Sequence, residues 1–295
     1  MIGDHPHAAL RAAPELMGIV NVSPDSFSGG CTGPAAAAAL AVDHLAAGAT
    51  WVDVGGESTR PGAGPMTAEA ELARVVPAIR AIRGGCPAAR ISIDTSKAAV
   101  AAAALAAGAE AINDVTAGSD PGMLRLAAER HCPVVLMHSR GTPATMQQLA
   151  MYSDVVAEVA EELAARIAAA LAAGIASARI IADPGIGFAK TAEHNLGLLA
   201  GLGRLRELLA VQLGFAPPLL VGLSRKSFLV TAAGVDWPPA RRDGLSHIMH
   251  AAVVDRCAVL RVHDVSGAAA AIRLAAALRQ ATASAAPSTV LPEPR

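Results

Sequence analysis

The sequence predicts a single α/β domain of the (β/α)8 TIM-barrel type, and three observations carry that prediction. Eight short apolar runs recur along the chain, near Leu16–Val20, Thr50–Val54, Arg90–Ile93, Ala111–Asn113, Val134–Met137, Ile180–Ala182, Leu219–Leu223 and Val259–Val262. They are continuous rather than alternating in polarity, as strands buried on both faces of a parallel sheet are. Long alanine- and leucine-rich stretches with charges at intervals separate them. Most of the runs end in a polar or charged cluster, and in such a barrel chemistry gathers at the carboxyl ends of the strands.

The first run passes into a polar, glycine-punctuated loop, Asn21-Val22-Ser23-Pro24-Asp25-Ser26-Phe27-Ser28-Gly29-Gly30, ahead of a helix expected over Ala35–Ala47. The second ends Asp53-Val54-Gly55-Gly56-Glu57-Ser58-Thr59-Arg60-Pro61-Gly62 and leads to a helix over Glu69–Ile82. The third ends Ser92-Ile93-Asp94-Thr95-Ser96-Lys97, opening a helix over Lys97–Ala107, and the fourth ends Asn113-Asp114-Val115. After the fifth come His138-Ser139-Arg140-Gly141-Thr142-Pro143 and a helix over Val155–Ala173. The sixth gives Asp183-Pro184-Gly185-Ile186-Gly187-Phe188-Ala189-Lys190. The last two end in basic clusters, Ser224-Arg225-Lys226 and Arg261-Val262-His263-Asp264, before a helix over Ser266–Leu278. Gly48, Gly108 and Gly174 each stand just past a helix, where a left-handed cap is favoured, and mark a return to the sheet. Periodicity alone also permits an open doubly wound sheet. The count of eight, with no G-x-G-x-x-G after the first strand, favours the closed barrel.

At 295 residues the chain fits one barrel with tails. Residues 1–14 are expected to be a flexible N-terminal segment, 15–280 the barrel, and 281–295 a flexible C-terminal tail. A net charge of −1 gives no general attraction to nucleic acid or an anionic membrane, so the basic residues act locally. Although 53% of residues are hydrophobic, the longest tempting run, Ala98 to Ala109, falls short of the ~20 residues that cross a bilayer. No basic segment followed by an apolar one opens the chain, and a cytoplasmic location is expected. Cys31, Cys86, Cys132 and Cys257 are scattered, which argues against a zinc site or disulfide framework. His5 and His7 are weak metal candidates.

The loop motifs, in this order and together with Val135-Leu136-Met137-His138-Ser139-Arg140-Gly141-Thr142-Pro143, resemble the dihydropteroate synthase family over about residues 16–275. The resemblance implies a (β/α)8 barrel enzyme of folate biosynthesis, a transferase. It would condense 6-hydroxymethyl-7,8-dihydropterin diphosphate with 4-aminobenzoate and release pyrophosphate. It also implies a homodimer, Mg²⁺, and competition by sulfonamides for the aminobenzoate site.

A pterin presents amino and ring N–H donors along one edge, and ionised carboxylates suit such an edge because they only accept. By the resemblance Asp94, Asn113 and Asp183 hold the pterin, and Lys226 reaches its ring acceptors; Lys226, Asp94 and Asp183 are the catalytic candidates. Arg261 and His263, spaced by two on a strand, project to the same side and are assigned to the diphosphate, whose charge grows as it leaves. Asn21 is assigned to diphosphate and Mg²⁺, and Arg60 either to the diphosphate or to its own loop. Thr59, Pro61 and Ser224 are assigned to aminobenzoate, with Phe27 and Phe188 as apolar walls. Blander roles remain open for each: helix capping for Asp94, a turn for Asp183 and for Asn21, solvation for Arg261 and His263, loop anchoring for the phenylalanines. No protein nucleophile is needed, because loss of pyrophosphate leaves a methylene of carbocation character for the aniline nitrogen to attack.

Two stretches depart from the family pattern. Ser28 runs directly into Gly29-Gly30 where an acidic residue normally intervenes, and Gly244 to His247 with Asp255 to Ala258 depart from its usual small residues. Two rivals stand beside this reading: a methyltransferase barrel with similar pterin recognition but no need of a diphosphate pocket, against which the two basic clusters argue, and, from the short first loop, a silent paralogue that binds pterin without turnover.

Overall fold

The structure is a computed structural model, and it describes residues 13–22, 31–58, 64 and 66–285. Strands and helices alternate. The strands are β1 (Glu15–Asn21), β2 (Trp51–Gly55), β3 (Arg90–Asp94), β4 (Ala111–Asp114), β5 (Val134–Met137), β6 (Ile180–Asp183), β7 (Leu220–Val221) and β8 (Val259–Val262). Around them lie α1 (Pro34–Ala46), α2 (Ala68–Gly85), α3 (Ala98–Ala107), α4 (Met123–Arg130), α5 (Val155–Ala172), α6 (Ala192–Ala200), α7 (Leu202–Leu213), α8 (Ser227–Ala233), α9 (Asp243–Val253) and α10 (Val265–Ala285).

The strands pair in the order β6-β5-β4-β3-β2-β1-β8-β7, all parallel. An isolated parallel bridge, Ala182 to Leu219, joins the two outer strands, and the Ala182 N–H donates to the Pro218 carbonyl at 2.9 Å. The sheet is thus closed into the expected barrel.

Each apolar run became a strand, but the seventh is shorter than expected. Of Leu219–Leu223 only Leu220 and Val221 pair in a ladder, because Gly222 and Leu223 leave it for the turn in which the Lys226 N–H reaches the Leu223 carbonyl. The helices over 123–130, 192–200, 202–213, 227–233 and 243–253 were not anticipated. Several are brief, and α9 carries Asp243, Ser246, His247 and His250 among its apolar residues, which blurs its period. The three cap glycines adopt the left-handed backbone expected of them, with φ of 104°, 115° and 95° at Gly48, Gly108 and Gly174. The boundary placed at residue 280 falls inside α10, which continues to Ala285 through helix-favouring alanines.

Burial separates two apolar layers. The larger lies between barrel and helices, where Val52, Val54, Ile91, Ile93, Ile112 and Leu136 meet residues such as Ile79, Leu163 and Ile167. The smaller fills the amino-terminal end of the barrel bore with Met17, Trp51, Ala111, Val135, Leu220 and Val259. Trp51 closes that end. Its indole N–H donates to Glu15 Oε2 at 2.8 Å, and the Arg90 guanidinium stacks 3.7 Å from its ring while pairing with Glu15. A bore plugged from below leaves only the carboxyl end of the strands open to a ligand.

Candidate active site

Above the apolar plug the inward positions turn polar. Alternation along each strand carries Trp51 to Asp53 on β2 and Ala111 to Asn113 on β4, and brings β3's Ser92 and β8's Arg261 to the same level. Asp53 is fully buried and accepts from Ser92 Oγ at 2.5 Å, Asn113 Nδ2 at 3.0 Å and Arg261 Nε at 2.5 Å. Arg261 Nη2 reaches Asp94 Oδ2 at 2.6 Å, so one guanidinium serves two carboxylates. Burial works against the Arg261 charge, but Asp53 and Asp94 outweigh it and hold its pKa above the ordinary arginine value. Asp94 is pushed up to about 7, first by burial and then by Asp53, with Arg261 pulling it down. One cation shared by two carboxylates leaves this trio rich in acceptors, a match for a donor-rich heterocycle edge.

Asp183 and Lys226 form the other wall. Asp183 Oδ1 accepts the Gly185 N–H at 2.7 Å, and its carbonyl accepts the His138 N–H at 2.9 Å. Burial raises the Asp183 pKa while Lys226 opposes it. The Lys226 ammonium donates to the Ile186 carbonyl and lies 4.5 Å from the centre of the Phe188 ring. Burial pushes Lys226 down to about 8, with Asp183 resisting. Gly187 is at φ +82°, and a Cβ there would come within 2.7 Å of Lys226 Cδ, so the glycine makes room for the lysine. Arg225, at φ +59°, is tied to α9 by Asp243 at 2.7 and 2.8 Å and through its N–H to Ser246. That tether holds the turn from which Lys226 extends.

Ser224 Oγ accepts the His263 N–H at 3.2 Å and lies 3.0 Å from His263 Nδ1, joining the ends of β7 and β8. Asn21 Oδ1 and Asp94 Oδ2 stand 3.4 and 3.6 Å from the place a Gly55 Cβ would take, so this glycine opens the floor between them.

Asp94, Asn113, Asp183, Lys226, Arg261, His263, Ser224, Asn21 and Phe188 therefore all lie at the carboxyl end of the barrel. Phe27, Thr59, Arg60 and Pro61 lie outside the described residues. Asp94 is not the cap of α3: Lys97 N–H bonds Thr95 Oγ1 at 3.2 Å and Ala98 N–H bonds Asp120 Oδ2 at 2.9 Å. Asp183 takes part in its turn and faces Lys226, so the two readings coexist. Arg261 is engaged with Asp53 and Asp94, a partnership the sequence did not suggest. Asp53 itself was missed, though an acid at an inward position inside an apolar strand was a usable signal. Also unanticipated is a row that runs outward from two buried groups, in which Lys190 Nζ meets His138 Nδ1 at 3.0 Å and His138 Nε2 meets the part-exposed Glu162 Oε2 at 3.1 Å. Among the described residues no cluster of three or more His, Cys, Asp or Glu side chains suits a metal ion.

Comparison with known proteins gives a consistent result. The family described as pterin binding enzyme matches residues 17–263. The chain is similar to the dihydropteroate synthase of Escherichia coli strain K12, at 43% identity over 88% of this chain and 90% of that protein. It is similar to the crystal structure of the Yersinia pestis dihydropteroate synthase with a sulfonamide drug complex, with a TM-score of 0.83, 39% identity, and 91% and 95% of the two chains covered. The Xanthomonas albilineans dihydropteroate synthase with 4-aminobenzoic acid aligns with a TM-score of 0.79 at 42% identity, covering 93% and 94%.

Proposed function

This chain belongs to the pterin binding enzyme family, among the dihydropteroate synthases, and from that premise we propose how its residues divide the reaction. The reaction joins 6-hydroxymethyl-7,8-dihydropterin diphosphate to 4-aminobenzoate, giving 7,8-dihydropteroate and pyrophosphate. One observation carries the division of labour: at the open end of a plugged bore, an acidic trio around Arg261 shares the site with Asp183 and Lys226, whose opposite charges act on each other.

Asp94 and Asp183, with Asn113, accept the amino and ring N–H groups of the pterin, and Lys226 donates to its ring acceptors. Asp53 orients its neighbours from below, since its hydrogen bonds fix both Asn113 and Arg261. As pyrophosphate departs, positive charge develops on the heterocycle and its methylene; the buried carboxylates favour that charge more than they favour the ground state. The aniline nitrogen then forms the new C–N bond and loses its proton. His263, beside Ser224 at the rim, and Arg261 below it lie on the side assigned to the diphosphate, and Ser224 with Phe188 lines the aminobenzoate side.

Asn21 supplies one oxygen donor at the rim, and among the described residues no carboxylate cage surrounds it. That fits a hard ion such as Mg²⁺ that keeps its waters and is held mainly by substrate phosphate. Bound there, the ion would neutralise charge on the leaving diphosphate. A homodimer, a cytoplasmic location and sensitivity to sulfonamides complete the proposal; among the described residues no helix is long and apolar enough to cross a membrane.

The deciding experiment is pyrophosphate release from the pterin diphosphate with Mg²⁺, with and without 4-aminobenzoate, in the wild type and Lys226→Met. Release that requires aminobenzoate and falls by about a hundredfold or more in the variant supports the assignment. Release indifferent to aminobenzoate, or an unimpaired variant, overturns it.

A further inference from the structure

Lys190 is buried, 3% exposed, and its ammonium is surrounded by acceptors: the Gly185 carbonyl, the Phe188 carbonyl and His138 Nδ1, each at 3.0 Å. Three protons meet three acceptors. Because Nδ1 accepts, the His138 proton sits on Nε2 and points to Glu162 Oε2. Glu162 is held in turn by Arg140, whose guanidinium lies 4.0 Å from the Tyr152 ring centre. His138 is pushed down to about 4, by burial first and against Glu162, and so is neutral in this row at neutral pH.

The two carbonyls that Lys190 grips belong to the turn that builds one wall of the active site. Gly185 gives its N–H to Asp183, Ile186 gives its carbonyl to Lys226, and Phe188 lays its ring beside the Lys226 ammonium. The turn is held in an unusual shape, with φ of +68°, +82° and +48° at Gly185, Gly187 and Ala189. A non-glycine residue in the left-handed region, such as Ala189, persists only where its surroundings impose it. Lys190 ties the Gly185 and Phe188 carbonyls together from within, while Asn195 Oδ1 accepts the Gly187 N–H at 2.6 Å between them.

We propose that Lys190 is a positioning residue for Lys226, fixing the turn after β6 in the one shape that presents the Ile186 carbonyl and the Phe188 ring to the Lys226 ammonium. This rests on the assignment of Lys226 to the pterin. Without the Lys190 ammonium, the Gly185 and Phe188 carbonyls lose their shared donor, the turn relaxes, and Lys226 loses its anchor while keeping its charge.

The test is a double-mutant cycle on the full-length protein, reading kcat/KM and the Kd of the pterin diphosphate with Mg²⁺ at about pH 6.5. The acid side is chosen because burial pushes the Lys190 pKa down to about 7, against Asp183. Lys190→Met is expected to lower kcat/KM about thirtyfold to a hundredfold, the scale on which an ångström of misplacement acts. If Lys190 works through Lys226, adding Lys190→Met to Lys226→Met costs less than about a further threefold. A purely structural lysine would give independent factors that multiply, and that outcome overturns the proposal, as does a Lys190→Met enzyme within threefold of the wild type. Should Lys190→Met fail to fold, His138→Gln enters the same cycle and is judged by the same two criteria. Lys226→Met alone tests the underlying assignment: if it is harmless, that assignment falls with the proposal, whereas multiplying factors beside a strong Lys226 effect remove only the role of Lys190.

Discussion

The two ends of the barrel bore are built from the same eight strands, yet they solve opposite problems. At the amino-terminal end Met17, Trp51, Ala111, Val135, Leu220 and Val259 fill the space with apolar side chains, and the charges of Glu15 and Arg90 sit at the wet rim. Two residues further along the same strands, Asp53, Asn113 and Arg261 place charge and hydrogen-bonding groups in a buried layer. The lower layer is stable by itself, whereas each member of the upper one depends on its partners. What separates them is a single step of the two-residue strand period. Buried charge is tolerable there because the plug beneath keeps the layer in place and each charge has partners: Asp53 accepts from Ser92, Asn113 and Arg261, and Arg261 also reaches Asp94.

The most severe way to break this contrast is Arg261→Met. It strands two buried carboxylates and is expected to cost about 3 kcal/mol of stability, together with most of the activity. Denaturant unfolding and kcat/KM measure the two losses, and the stability loss should shrink in acid, where an unpaired carboxyl takes up a proton. If stability is retained at neutral pH, the trio is not a coupled unit. Trp51→Ala probes the other end. Removing the plug is expected to cost about 3 kcal/mol by cavity formation, while kcat/KM at 25 °C stays within about threefold of the wild type. A large kinetic loss there would mean that the two layers are not separable.

The mildest probe is pH. Lys226 is cationic below its folded pKa of about 8 and loses its proton above it, so kcat/KM should fall on the alkaline side. The sign is fixed by the role: the charged form binds, and it is the form lost as pH rises. Trp51→Ala should leave that alkaline limb where it is, whereas Lys226→Met should abolish it. An unchanged limb in the Lys226 variant would place the titration elsewhere.

How much of this was legible in the sequence follows from how local each feature is. The strands are continuous apolar runs, which need no tertiary information, and all eight were readable. Helices α8 and α9 were not, since seven residues in one and polar residues in the other weaken any period. Asp94, Asn113, Asp183 and Lys226 are strand-end residues in recognisable motifs, and the structure brings them to one open end. Asp53 hid because it lies inside a strand rather than after it. The row from Lys190 through His138 to Glu162 joins residues 52 and 24 positions apart, and nothing in the one-dimensional pattern pairs them. The helix expected over Ser266–Leu278 runs on to Ala285 for a related reason: alanines without a periodic apolar face read as tail, yet they extend a helix already begun.

Gly185 gives the turn after β6 a further significance. A side chain at that position would put its Cβ 1.8 Å from the His138 carbonyl oxygen, and the residue's φ of +68° already excludes most alternatives. This point of the active-site wall is thus closed to gradual change: a side chain at position 185 cannot enter without displacing the His138 carbonyl just past β5. Sequence drift in descendants of this protein should flow around Gly185, and a small molecule that rests against it leans on the surface from which escape by point mutation is hardest.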